Sequence, residues 1–449
     1  MLLKLGQQLE SIHYNQLPEQ TIKKAKVAIL NFFGSSLAGA DAPLIVAEKA
    51  VWESQNCSGS CVILGHKDKT SPVAAASVNA LMGQMFLLED CHEKTLSHPG
   101  VVVIPVVMAL GQSLNAGGRQ IIEAIVAGYE CIGRIGSVLI APGFPNFGLR
   151  PASTMAPFGG AAAAAKVMGL TAEGIGNALS IAGNTASGVM EFVNSGTVDI
   201  CIQNSFAAKN SMMAAMLALN GIKASPTIFN GQFGLGRALN RKELDWSIAL
   251  TERPGQYMID ETFIKRFPGC GHVQSTAQAA KSLVQRFKIN PDNVEKVTVG
   301  VSRVAKEFPG VDCAGPYSGP ISAMMSHQFM VSSTLVHGEV SVSTVKIYNH
   351  PEVAKVAQKV FVEIDEHVDK AYPHKQGARL SVYLKNGEII SDCQEDLIPL
   401  DADEVIRRFI NSARGFIGDS RIDEIIDKTM QIESLASINS LVNLLAADY

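Results

Sequence analysis

A chain of 449 residues is longer than a single hydrophobic core usually supports, so two domains are expected, each with a sizeable core. Only 18% of the residues are charged against 47% hydrophobic, below the roughly 25% charge of an average soluble chain, so some apolar surface should be covered by another subunit. The formal charge of −4 provides no basic field for phosphate backbones or anionic membranes, which excludes nucleic acid as a partner.

The first twenty residues, "MLLKLGQQLESIHYNQLPEQ", have a broken apolar run and no small-residue cleavage site, so they do not form a signal peptide. No stretch approaches the roughly 18 uninterrupted apolar residues of a membrane span. The sequence reads as soluble and cytoplasmic, without membrane contact. Its eight cysteines contain no CxxC pair. Cys57 and Cys61 have the spacing of half a zinc knuckle without the other half, and no structural metal is expected.

Taken in order, residues 20–39 ("QTIKKAKVAILNFFGSSLAG") read as a helix stopped by Gly34 and a serine pair. Residues 89–100, "EDCHEKTLSHPG", then gather Glu89, Asp90, Cys91, His92, Lys94 and His98 just before an apolar run. His92 and His98 are six apart, not the four of a zinc-binding helix face. A nucleophilic Cys91–His92 pair is disfavoured, because adjacent side chains point apart. "SHPG" reads as a helix start, with Ser97 as N-cap and Pro99 in the first turn. His98 would then stand at a helix entrance, either moving protons at neutral pH or simply packing there.

The small-residue stretches 158–170 ("FGGAAAAAKVMGL") and 206–222 ("FAAKNSMMAAMLALNGI") predict core helices whose axes approach closely. "GLGRAL" (234–239) lacks the strand and spacing of a dinucleotide loop. Beyond Arg253–Pro254 the pattern changes. Residues 263–280, "FIKRFPGCGHVQSTAQAA", place Lys265, Arg266, Cys270, His272 and Gln274 in a loop feeding a helix. The two cations could hold a carboxylate or phosphate, or form a solvated edge. Residues 294–302 alternate as a strand, 350–369 read as one amphipathic helix, and 378–393 read as two strands about a type I′ turn at Asn386–Gly387. The tail to Tyr449 returns to helix. The expected architecture is mainly α with a second α+β domain: residues 1–254 and 396–449 helical, 255–395 α+β, and a site between them.

These stretches, with "NALMGQMFLLEDCHEKTLSHPGVVVIPVVMALGQ" (79–112), "APFGGAAAAAKVMGLTAEGIGNALSIAGNTASGV" (156–189), "NSGTVDICIQNSFAAKNSMMAAMLALNGI" (194–222) and "SHQFMVSSTLVHG" (326–338), resemble the MmgE/PrpD family nearly end to end. The resemblance implies a large all-helical domain plus a smaller α+β domain, usually in a homodimer. It also implies proton removal next to a carboxylate on a small di- or tricarboxylate, with neither metal nor organic cofactor, followed by loss of water, loss of carbon dioxide or epimerisation. Asp90, His98 and Lys265 fit family positions. Glu89 replaces an aspartate, Cys91 stands where threonine is common, and Arg150 and Gln203 stand where histidines are usual. Ile200 replaces a lysine, and Phe329 a tyrosine.

On this basis His98 transfers the proton, and His272 is the second acid or base. Lys265 and Arg150 hold carboxylates, while Asp90 orients or balances the cations. Cys91, His92, Gln203, Arg266, Cys270 and Phe329 complete the expected substrate contacts. The expected function is a cofactor-independent lyase or isomerase with a divergent site. The alternatives are a family-type dehydratase or decarboxylase, acting on methylcitrate or a cis-aconitate-like substrate, and an inactive metabolite-binding relative.

Overall fold

The first long helix does not stop at Gly34. Helix α1 (Glu19–Gly39) passes through Gly34, Ser35 and Ser36. A Cβ on Gly34 would lie 3.1 Å from the Phe409 Cα, so the missing side chain is what lets a later helix pack tightly there. Ser35 turns its hydroxyl back onto the carbonyls of Asn31 and Phe32, which keeps a polar group satisfied inside the core. The computed structural model describes residues 1–140 and 148–447.

The following helices are α2 (Pro72–Gln84), α3 (Gly100–Leu114), α4 (Gly118–Leu139), α5 (Pro151–Val167), α6 (Ala172–Gly183) and α7 (Asp199–Leu219). They pack around α5 and α7, the two small-residue helices. A Cβ at Gly128 of α4 would lie 2.9 Å from the Gly159 carbonyl oxygen of α5, so glycine sets the close approach of these two backbones. Among the described residues, no single helix is long and apolar enough to cross a membrane.

Strand β1 (Asp90–Cys91) pairs antiparallel with β2 (Phe263–Ile264), Asp90 opposite Ile264 and Cys91 opposite Phe263. This short ladder joins the two polar clusters that lie far apart in sequence. After it come α8 (Gln274–Arg286), β3 (Val294–Val301), α9 (His327–His337), β4 (Val360–Ile364), β5 (Ala378–Leu384) and β6 (Ile389–Gln394). The sheet order is β4-β3-β5-β6, with β3 and β4 parallel and the other pairs antiparallel. Helices α8 and α9 cover it, burying Ala280 and Leu283 against Val297, Val299, Leu380 and Val382.

Two local expectations are corrected. Residues 350–369 do not form one helix: a short helix, Pro351–Ala357, gives way to β4 and then to a second short helix, Glu366–Ala371. The β-branched alternation of Val360 and Val362 finds a partner in β3, and pairing there outweighs helical spacing. The β5–β6 turn is not type I′. Asn386 keeps an ordinary negative φ and only Gly387 is left-handed, at +87°, while the Gly387 N–H donates to the Leu384 carbonyl, giving a three-residue loop.

Helices α10 (Ala402–Ala413) and α11 (Asp419–Met430) return to pack on α1, and Asp401 and Glu404 cap α10 reciprocally. The end of the expected helical tail, Asp448 and Tyr449, lies outside the described residues. The fold is mainly α, with a smaller α+β part.

Candidate active site

The β1–β2 ladder sets Glu89 beside Lys265. Lys265 Nζ donates to Glu89 Oε1 at 2.5 Å, with 1% and 3% of the two side chains exposed. Gln84, at the end of α2, donates to the same oxygen at 3.2 Å and accepts from Asn204 of α7. Glu89 Oε2 is buried without a partner among the described residues, leaving an acceptor for a proton-bearing group.

His98 lies 3.0 Å through Nδ1 from the Asp90 carbonyl oxygen, and 3.6 Å from Glu89 Oε1. A carbonyl only accepts, so Nδ1 carries the hydrogen and Nε2 keeps its lone pair. Burial, followed by the charges of Lys265 and Arg150, holds the imidazole pKa well below 6.5. The ring is therefore neutral at pH 7 and suited to accept a proton.

Asp90 takes a different place from the one expected. Its Oδ1 accepts the Gly100 N–H at 2.9 Å, so it caps α3 from outside the helix. Ser97 is not the N-cap: its hydroxyl lies 2.7 Å from that of Thr95, and Pro99 precedes the first helical residue. Burial pushes the Asp90 carboxyl up to about 6, against the pull of Tyr129 and the Gly100 amide. Asp90 thus supports the His98 loop from behind the pocket wall.

Arg150 immediately precedes α5. Its Nη1 donates to Ser153 Oγ at 2.9 Å, and Ser153 in turn donates to Gln203 Oε1 at 2.5 Å. Gln203 stands behind Arg150 and steadies it. Burial lowers the guanidinium pKa to about 10, which leaves it charged. His272 packs against Phe308 with the rings tilted by 54° and their centres 4.6 Å apart, and its Nδ1 lies 3.9 Å from Glu93. Burial lowers its pKa as well. Tyr372 donates to the same Glu93 oxygen at 3.0 Å.

Glu89, Cys91, Glu93, His98, Arg150, Lys265, Cys270 and His272 all line one pocket. Counting the solvent it opens onto, the pocket spans about 570 Å³, and about 60 Å³ of space can hold the centre of a water molecule. Burial raises both thiol pKa values, so neither Cys91 nor Cys270 is a thiolate at neutral pH. Among the described residues, no group of three or more His, Cys, Asp or Glu side chains is arranged to hold a metal ion.

Besides Gln203, three expected contacts do not line this pocket. His92 bonds Thr95 through Nδ1 at 2.7 Å and turns Nε2 toward Glu261, 3.8 Å away. Arg266 grips Glu404 and the carbonyls of Ile398 and Pro399, because adjacent side chains in extended chain face opposite ways and Lys265 already faces inward. Phe329 is fully buried in α9, edge-on to Tyr317 at 5.5 Å. Sequence reading gave no role to Glu89, which joins Lys265 and His98, or to Glu93, which faces His272. The signal available was their place in the polar run 89–98.

A family model described as the MmgE/PrpD N-terminal domain matches residues 4–247, and one for the MmgE/PrpD C-terminal domain matches residues 267–432. The chain is 26% identical to a cis-aconitate decarboxylase from Aspergillus terreus, covering 96% of this chain and 93% of that protein. It is 24% identical to the cis-aconitate decarboxylase of Homo sapiens, covering 97% and 92%. A cis-aconitate decarboxylase-like protein of Aspergillus oryzae is 23% identical, covering 97% and 95%.

Proposed function

The chain belongs to the MmgE/PrpD family, and from that premise we propose that it is a lyase or isomerase that removes a proton next to a carboxylate of a small organic acid, using its own side chains. The observation that carries the proposal is His98: a neutral imidazole whose tautomer is fixed by the Asp90 carbonyl, beside Lys265 and Arg150.

The carboxylate binds Arg150, the cation without an acidic partner in that wall. His98 Nε2 takes the proton, and the C–H electron pair moves onto the neighbouring oxygen, which the Lys265 ammonium stabilises. Two outcomes follow from that intermediate. A β-hydroxyl leaves, taking the proton back from His98 as water, or a proton from solvent reaches the opposite face of the carbon on the His272 side and changes its configuration, while His98 gives its proton to solvent.

A second reading, decarboxylation, is supported by the names of the relatives. There the carbon–carbon bond breaks first, and the resulting carbanion takes a proton from the pocket. Proton NMR in deuterium oxide with a panel of small organic acids separates these readings. Enzyme-dependent deuterium incorporation is expected, and the product shows elimination, inversion or carbon dioxide release. Ligand-induced thermal stabilisation with no exchange and no turnover would instead leave a metabolite-binding relative.

A further inference from the structure

We infer that the pocket selects a short monocarboxylate whose remainder is uncharged, in preference to a di- or tricarboxylate. This rests on the proposed reading of the pocket as a carboxylate site and adds how many carboxylates it accepts.

The ionic side chains in the wall are equal in number but unequally paired: two cations, Lys265 and Arg150, and two carboxylates, Glu89 and Glu93. Lys265 is already paired with Glu89 at 2.5 Å. Arg150 donates only to the Ser153 hydroxyl, so among the described residues of the wall it is the one cation without a carboxylate. Glu93 sits at the His272 side, where a second substrate carboxylate would meet a like charge. His98 and His272 add no charge near neutral pH, since burial favours their neutral forms. Residues 141–147, "APGFPNF", contain no ionisable side chain and add none.

The rest of the wall is apolar: Leu87, Met190, Phe192, Ile200, Phe308 and Met325. A second carboxylate against these groups would lose its water with no cation to replace it. An alkyl, keto or hydroxy remainder loses far less. The space open to water centres is small, about 60 Å³, which suits a short acid.

Isothermal titration calorimetry of the full chain at pH 7.5, in a carboxylate-free buffer, compares pentanoate, glutarate and tricarballylate. Pentanoate is expected to bind about tenfold or more tightly than glutarate, with tricarballylate weaker still. Arg150→Met should weaken pentanoate by about tenfold or more at an unchanged unfolding temperature. Ile200→Lys, which adds a cation to the apolar wall, should move the preference toward glutarate. Glutarate or tricarballylate binding the wild type as well as pentanoate, or none of the three binding, overturns the inference. Deuterium exchange is a separate readout: its absence with the pentanoate preference intact removes the acid–base reading alone, and exchange on a dicarboxylate with that preference lost removes this inference alone.

Discussion

His98 Nδ1 lies 3.0 Å from the backbone carbonyl oxygen of Asp90, the residue whose side chain also caps the helix that begins two residues after His98. One residue thereby fixes both the ring's tautomer and the turn that carries it. If the free Nε2 is the base, His98→Gln lowers turnover by about 10²–10⁴-fold, while near-UV circular dichroism keeps its native form. A rate within a few-fold of wild type would remove His98 from the mechanism.

The same burial determines the acid side of the pH profile. Because the folded-state pKa lies well below 6.5, the imidazole stays neutral through that value, and kcat/KM should be flat from pH 7.5 down past 6.5. Stability has the matching sign. The unfolded chain takes up the proton first, so this contribution is complete above about 6.5 and is lost as pH falls toward the folded pKa. An acid limb centred at or above 6.5 contradicts the assignment.

Asp90 has the opposite sign. Its folded pKa, raised to about 6 from 3.8, means that the native state holds the proton longer than the unfolded chain does, so stability falls as pH rises between those values. Asp90→Asn retains an acceptor for the Gly100 amide and cannot ionise. Relative to wild type, the variant should gain about 1.4 kcal/mol more at pH 7.5 than at pH 5, read from urea unfolding at both values. Equal differences at the two pH values would show that the carboxyl titrates normally.

Glu89 and Lys265 should be costly to separate. Glu89→Ala leaves a buried ammonium without its carboxylate and is expected to destabilise the fold by ~3–5 kcal/mol, whereas Glu89→Leu combined with Lys265→Met should recover most of that loss. Denaturation midpoints of the single and double variants test this. A double variant no more stable than the single would mean that packing, rather than the unpaired charge, is responsible.

The residue types at the site were legible because polar groups stood out against apolar neighbours. His98, Lys265 and His272 were all found this way. That they meet was not legible, since it depends on two residue pairs, Asp90 with Ile264 and Cys91 with Phe263, formed between distant segments. Adjacency also misled: Arg266 follows Lys265 in sequence yet faces Glu404, and His92 follows Cys91 yet faces Thr95. Residues 360–364 had apolar spacing compatible with either helix or strand, and the presence of β3 alongside selects strand. Arg150 and Ile200 lie in the same wall, where an arginine supplies a cation on one element and an isoleucine leaves none on another.

The apolar composition makes one more expectation testable. Along α7, Phe206, Met213 and Leu217 are 54%, 44% and 39% exposed. Their spacing of seven and four residues puts them on one helical face, a stripe that water covers poorly and a second subunit would cover well. A homodimer should therefore appear in light scattering at about twice the 47.8 kDa chain mass. Phe206→Asp with Leu217→Asp should shift the population toward monomer as protein concentration falls, because two charges on that stripe would have to be buried on association. Both substitutions are on already exposed positions, so the unfolding temperature of the isolated subunit should change little. A wild-type mass of one chain would dismiss the dimer, and a dimer indifferent to both substitutions would place the interface on another face.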